Sequence, residues 1–215
     1  RGLLGQEMTE IGILTEAGVH TFTEGRRTLS NPALIRRIMT YVRDFDALFC
    51  HETQDDALTG SGVMNEGLLA SWLGLPGIPR EAETIPLERD LRLAALTGVR
   101  YHAAQLSCGM SVDAMRLAKD KGVSATAGVS INHLTLNEND IGEYRTFFRL
   151  SPPLRREEDR QAMVDALADG TLDIDAMLER VDKNTILVAC MMVNNEIGTV
   201  QDVESLATIA RAHRV

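Results

Sequence analysis

Apolar residues along this chain fall into two alternating rhythms. In the first they recur three and four residues apart, the spacing of one helix face. Ile35, Ile38, Met39 and Val42 follow it after Asn31-Pro32, an N-cap with proline at the first helical position, so a helix is predicted there. Leu87, Leu91, Ala94 and Ala95 repeat the spacing and end at Gly98. A third helix is predicted to start at Ser111 and to run through Ala114, Leu117 and Ala118 to Gly122. Met163, Ala166 and Leu167 mark a fourth, and Val203, Leu206, Ala207 and Ala210 a fifth.

The second rhythm consists of short apolar runs: Val19 to Thr23, Ala47 to Cys50, Val99 to Leu106, Val123 to Thr126 and Ile186 to Val193. Strands separated by single helices imply βαβ units, because parallel strands need a crossover, and the predicted class is α/β with a parallel sheet. Ile186 to Val193 is apolar without alternation, as in a central strand covered on both faces. Leu75-Pro76-Gly77-Ile78-Pro79 and the polar stretch Asn137 to Glu143, which leads to Ser151-Pro152-Pro153, interrupt the rhythm as loops. Long loops after strands are where α/β barrels carry their sites.

Composition narrows the function classes. With 44% hydrophobic and 25% charged residues in 215, the chain reads as a soluble globular protein. Its longest apolar run falls far short of the roughly 18 residues of a membrane helix. The opening Arg1-Gly2-Leu3-Leu4-Gly5 carries no export signal and reads as a processed end or a fragment. The 31 acidic residues against 22 basic ones give a net charge of −9, which disfavours nucleic acid and anionic membranes as partners. Cys50, Cys108 and Cys190 share no pairing pattern, so the expected compartment is the reducing cytoplasm.

Candidate chemistry follows from strand ends. Glu24, His51, His102 and His133 lie at or near them, where ligands scattered in sequence can converge on zinc, although isolated histidines are also ordinary core-edge groups. Cys50 and His51 are adjacent on a strand and point to opposite faces, which prevents a direct thiolate and imidazole pair. Gly60-Ser61-Gly62 lacks the rest of a phosphate-binding fingerprint and reads as a turn. Arg155 to Arg160 mixes both signs at helical spacing and reads as a solvated helix start. Asn194-Asn195-Glu196-Ile197-Gly198 follows a strand and precedes a helix, a place for a turn or for a ligand.

A series of longer phrases carries a family resemblance. It runs through Phe22-Thr23-Glu24-Gly25, Gly62-Val63-Met64-Asn65-Glu66-Gly67, Leu75-Pro76-Gly77-Ile78-Pro79, Glu81-Ala82-Glu83, Arg89-Asp90, Gly98-Val99-Arg100-Tyr101-His102, Asn132-His133-Leu134 and Ser151-Pro152-Pro153-Leu154-Arg155. In this order the phrases resemble dihydroorotases of the long bacterial type, members of the amidohydrolase superfamily. The resemblance implies a (β/α)8 TIM-type barrel, partial over residues 1–170. For active members it implies reversible closure of carbamoyl aspartate to dihydroorotate in pyrimidine biosynthesis, with zinc activating a water.

The resemblance also shows departures. The family's bridging Asp is Glu24 here. Its His-x-Glu-Asp phrase becomes His51-Glu52-Thr53-Gln54-Asp55, which sets Glu52 at the ligand position and His51 one residue early. The next ligand, the second His of His-x-x-His-x-Ser, is Gln105. The family's His-x-His would fall before Arg1 and its catalytic aspartate shortly after Asp173. These differences imply a noncatalytic dihydroorotase-like chain with no catalytic residue and no resident metal. Chains of that kind serve as partners of aspartate transcarbamoylase, so an oligomer is expected. Asn132, Ser151 and Arg155 are the substrate-loop candidates by the same resemblance. The alternative is a zinc-dependent cyclic amide hydrolase in a longer parent.

From about Thr171 the phrases change. Leu172-Asp173-Ile174-Asp175-Ala176-Met177, Asn184-Thr185-Ile186-Leu187-Val188 and Val193-Asn194-Asn195-Glu196-Ile197-Gly198-Thr199-Val200-Gln201 resemble cysteine desulfurases, class V aminotransferases that use pyridoxal phosphate. Asn195 matches the asparagine near that cofactor, while the Schiff-base lysine would lie outside the segment. A fragment of such an enzyme is a third alternative. The expected organisation is composite: a partial barrel over residues 1–170 and a βα segment of different family origin over 171–215, packed on the same sheet.

Overall fold

The chain was analysed as a computed structural model, which describes residues 5–172. In chain order the elements are α1 (Ile11–Glu16), β1 (Thr21–Thr23), α2 (Pro32–Asp44), β2 (Leu48–His51), α3 (Asp56–Thr59), β3 (Met64–Asn65), α4 (Leu68–Leu73), β4 (Gly77–Ile78), α5 (Glu81–Thr97), β5 (Arg100–Leu106), α6 (Gly109–Asp120), β6 (Ala125–Val129), α7 (Ile131–Thr135) and α8 (Glu157–Ala168). Strands β1, β2, β5 and β6 form one sheet in that order, and every pairing is parallel. The predicted α/β class with a parallel sheet is therefore what the chain builds. The fifth strand and fifth helix read from the sequence, Ile186 to Val193 and Val203 to Ala210, lie outside the described residues, as does Asn195.

Local chemistry explains the main helices. α2 begins where Asn31 accepts hydrogen bonds from the Ala33 and Leu34 amides at 3.0 and 3.3 Å, with Pro32 at its first position. Its stripe Ile35, Met39 and Val42 is completely buried. α5 stops at Gly98, whose φ of 72° is a left-handed conformation that glycine adopts without strain. Leu87, Leu91 and Ala94 of α5 pack with Phe49, Tyr101 and Leu106 of the sheet and with Val112 and Met115 of α6 in a single core. A second apolar cluster gathers Met64, Ala70, Ile141, Phe148 and Leu154 beneath the long loop region.

Several boundaries differ from the sequence reading. α6 begins at Gly109, and Ser111 is a fully buried residue inside the helix instead of its cap. The segment around Leu75 to Pro79, read as a loop, contains β4, which pairs with β3 in a two-stranded parallel sheet of its own. Such short strands leave no periodicity to detect. Asn137 to Glu143 contains a 3-10 turn, Glu138–Ile141, closed by a capping box between Asn137 and Asp140. Arg155, read as part of a solvated helix start, is only 3% exposed, because it answers buried acceptors. Glu157 and Arg160 do form the expected surface pair. Gly60-Ser61-Gly62 is a turn, as read.

One irregularity shapes the end of the sheet. Between Ala103↔Ala127 and Leu106↔Val129, β5 has one more residue than β6, a bulge that includes Ala104 and Gln105. A side chain at Gly128 would sit 2.6 Å from the Ala104 carbonyl oxygen, so only glycine allows the strands to close around the bulge.

Capping and core burial are separable in the unfolding free energy. Asn31→Ala is expected to cost about 1 kcal/mol, and Met39→Ala about 2–5 kcal/mol, both read by urea denaturation. Equal losses would show that α2 is not held chiefly by its buried stripe.

Candidate functional site

α5 brings two carboxylates into the interior. Glu83 and Asp90 lie on the face that carries Leu87, Leu91 and Ala94, and both are essentially inaccessible. A buried charge survives only if matched. Asp90 meets His51 Nδ1 of β2 at 2.5 Å, the Tyr101 hydroxyl of β5 at 3.3 Å and the Arg89 guanidinium at 2.8 Å. His51 Nε2 accepts from the Leu29 amide at 2.8 Å, so the ring proton sits on Nδ1 and is donated to Asp90. Both imidazole nitrogens are thereby engaged. Burial, reinforced by the Asp90 charge, pushes the Tyr101 phenol well above its ordinary range.

Glu83 anchors a second network. It accepts from the Ser107 amide at 3.0 Å, the Ser111 hydroxyl at 2.6 Å and the Ser107 hydroxyl. Arg155 donates to the Ser107 Oγ at 3.1 Å, to the Asn65 Oδ1 at 3.0 Å and to the Ile78 carbonyl at 2.8 Å. Asn65 in turn donates to Glu138 at 2.6 Å. A chain of buried polar groups therefore ties α5, the end of β5, the β3–β4 pair and the stretch before α8. The Cys108 thiol beside it is pushed up to about 12 by burial and by the Glu83 charge, which leaves it unreactive.

At the C-terminal ends of the strands lies a polar cavity of about 660 Å³, lined by Arg26, Glu52, Gln105, Ser130, Asn132, His133, Arg149, Leu150 and Ser151. Sequence reasoning placed Glu52, Gln105, Asn132, His133 and Ser151 among its candidates, and the fold gathers these five. Four others sit elsewhere. Glu24 accepts from the Gly5 amide at 3.2 Å beside a separate small cavity near Phe22 and Leu29. His51 faces Asp90 and Arg155 faces Ser107, both inside the protein. His102 approaches Thr126 Oγ1 at 2.8 Å.

The cavity has a distinctive charge balance. Burial raises the Glu52 carboxyl to about 7, while Arg26 opposes the rise and the Glu83 charge adds to it. Arg26 and Arg149 bring positive charge. His133 Nε2 lies 3.1 and 3.2 Å from the carbonyls of Pro152 and Pro153, so it is the donor nitrogen, and its Nδ1 is buried without a partner. Burial lowers the basicity of that ring. The arrangement suits an anionic or amide-bearing small molecule. Among the described residues no group of three or more His, Cys, Asp and Glu side chains is arranged to hold a metal ion.

Arg26, Ser130 and Arg149 were not singled out from the sequence, since nothing local distinguishes them from surface residues. Glu83 and Asp90 did carry a signal. They are charged residues spaced on the apolar stripe of a helix, where a charge has to find a buried partner.

Comparison with known proteins gives two family matches. The profile described as dihydro-orotase-like matches residues 2–111, and the profile of class V aminotransferases matches residues 156–215. A dihydroorotase of Thermoanaerobacter sp. (strain X514) is 43% identical over 173 residues, covering 80% of this chain and 40% of the relative. A dihydroorotase of Leifsonia xyli subsp. xyli is 40% identical over 177 residues. The chain thus spans about 40% of the length of the curated relatives it matches. Among solved structures, an L-hydantoinase (dihydropyrimidinase) from Arthrobacter aurescens aligns with a TM-score of 0.64 at 16% identity, over 76% of this chain and 39% of its own. A dihydroorotase from Campylobacter jejuni aligns with a TM-score of 0.56 at 12% identity, over 76% of this chain and 46% of its own. These likenesses show the fold, a portion of a TIM-type α/β barrel.

Two measurements check the site. Glu83→Gln weakens the bonds that Glu83 accepts from Ser107 and Ser111 and leaves buried groups poorly paired, and it is expected to cost about 1–3 kcal/mol in urea denaturation. A loss near that of a surface substitution would mean that the network is not stabilising. For Glu52 the folded carboxyl holds its proton more tightly than the unfolded one, whose pKa is 4.5. Its contribution is therefore full below pH 4.5 and is lost as pH rises through about 7. Glu52→Gln should flatten the decline in stability between about pH 5 and pH 8; an unchanged slope would show that Glu52 ionises freely.

Proposed function

The chain belongs to the dihydroorotase-like family, and on that premise we propose that it keeps the family's barrel and its cleft while lacking the metal-assisted hydrolysis of cyclic amides. One observation carries this reading. The two family ligand positions within the described cleft hold Glu52 and Gln105, while the neighbouring His51 is turned inward with both ring nitrogens engaged. A primary amide is a neutral, weak zinc donor. No hydrolytic step is therefore assigned to these residues.

The cleft still offers recognition chemistry. Arg26 and Arg149 supply positive charge, and Ser130, Asn132 and Ser151 supply hydrogen-bonding groups around it. A small carboxylate that also carries an amide matches that set, which fits a role beside pyrimidine biosynthesis. Cys50 and Cys108 are not joined in a disulfide, which accords with the cytoplasm as the proposed compartment.

The proposed role is structural, as an assembly partner of aspartate transcarbamoylase. The family resemblance supports it, and so does an apolar surface on α4. Leu68 and Trp72, one helical turn apart, are 70% and 80% exposed.

Two experiments test these claims. Metal analysis of the purified chain, expressed in zinc-supplemented medium, is expected to find zinc far below stoichiometry, together with no turnover of dihydroorotate. Stoichiometric zinc with turnover overturns the noncatalytic reading. On size exclusion, the chain is expected to co-elute with aspartate transcarbamoylase, and Trp72→Glu to separate the two. Separate peaks for the unmodified chain overturn the partner assignment.

A further inference from the structure

The polar cleft owes its positive charge to two loops that are far apart in sequence. Arg26 stands on the loop after β1 and Arg149 on the stretch before α8, and both line the cavity. Among the described residues neither guanidinium forms an ion pair. No bound carboxylate aims these side chains, so the positions of their loops decide where the charges stand.

Both loops are tied to one residue. The Gln54 amide donates to Thr28 Oγ1 at 2.8 Å, and that hydroxyl donates to the Glu52 carbonyl at 2.8 Å. Through its side chain, Gln54 Oε1 accepts from the Ser151 hydroxyl at 3.0 Å. Gln54 Nε2 donates to Thr59 Oγ1 at 3.3 Å, which turns the amide oxygen toward Ser151. Thr28 follows Arg26 by two residues, and Ser151 follows Arg149 by two. Gln54 therefore joins the two arginine-bearing loops although they lie 26 and 97 residues from it in sequence.

This clamp rests on a fixed base. The Asp55 amide donates to the Ala82 carbonyl of α5 at 2.7 Å, and the Asp55 side chain accepts from the Ala57 and Leu58 amides at 2.9 and 3.0 Å. His51 is locked between Asp90 and the Leu29 amide, so the Arg26 loop is bound at the consecutive residues Thr28 and Leu29. Gln54 and Thr28 themselves lie outside the cavity lining. They can influence a bound molecule only through the loops they hold.

Two cations placed in advance suit a molecule with two negative charges, because they need not be ordered at the moment of binding. Glu52, the acidic group in the lining, is raised to about 7 by burial and opposes the arginines only in part near neutral pH. We propose that Gln54 is a positioning residue that holds Arg26 and Arg149 on one cavity, and that the cleft is thereby built for a small molecule with two anionic groups. The inference rests on the reading of the cleft as a recognition site for small carboxylates. It adds the charge of the molecule and the residue that sets the selectivity.

Isothermal titration calorimetry of the full chain with succinate and with butyrate, which share a carbon skeleton and differ by one carboxylate, tests both parts. Succinate is expected to bind at least about 10-fold more tightly, the value of one charge-assisted hydrogen bond. Arg26→Gln and Arg149→Gln should each bring succinate down to the level of butyrate. Gln54→Leu and Thr28→Val should each lower the preference for succinate by about 5- to 10-fold, and Thr28→Ser, which keeps the hydroxyl, should restore it. Binding of neither compound overturns the recognition reading together with this inference. Equal binding of the two leaves that reading standing and overturns the inference. An unchanged preference in both Gln54→Leu and Thr28→Val overturns it as well, and so does an equal loss of both compounds that Thr28→Ser fails to restore.

Discussion

Two carboxylates on one helix constrain this structure more than any other feature. Glu83 and Asp90 project from α5 into a region closed to bulk solvent, where a lone charge is untenable, so the elements around them supply donors. Asp90 draws β2 and β5 together through His51 and Tyr101. Glu83 fixes the turn from β5 into α6 through Ser107 and Ser111. Apolar packing alone would tolerate small rotations of α5 over the sheet. Directional bonds at two points along the helix do not, and a buried polar set of this kind favours one arrangement over its near neighbours.

The cleft inherits its shape from these bonds. Arg155 answers Ser107 and Asn65, and it terminates the Pro152-Pro153-Leu154 stretch whose carbonyls hold His133 at the cavity wall. Position in the cleft and position in the core are therefore linked through one guanidinium. That link gives Pro152, Pro153 and Arg155 a structural role that does not depend on what the cleft binds. The prolines and the arginine belong to the frame, while Glu52 and Gln105 belong to the contents.

Much of the fold was legible in the sequence because burial imposes a period. The stripes of α2 and α5, with Asn31 and Gly98 as their ends, state their own boundaries. The two-residue strands β3 and β4 have no period, and their pairing depends on a loop crossing that only tertiary contacts define. Ser111 misled because a serine before an apolar run is chemically the same whether it caps a helix or serves a buried carboxylate. Arg155 misled for a related reason: charge patterning describes a helix in isolation, and the acceptors of Arg155 come from residues far away in sequence. Of the site, the five candidates gathered in the cleft were reachable through family phrases, whereas Arg26 and Arg149 are brought there by loop paths that leave no local mark.

The bulge in β5 has a consequence for how such a cleft changes. Gln105 lies in the stretch where the ladder with β6 slips, and Gly128 makes room for the slip. The backbone, held by residues on either side, decides that position 105 faces the cavity; the identity of its side chain does not. Chemistry at that point is thereby uncoupled from folding. A change of side chain at position 105 therefore alters the cavity wall while the hydrogen bonds of the sheet on either side stay as they are.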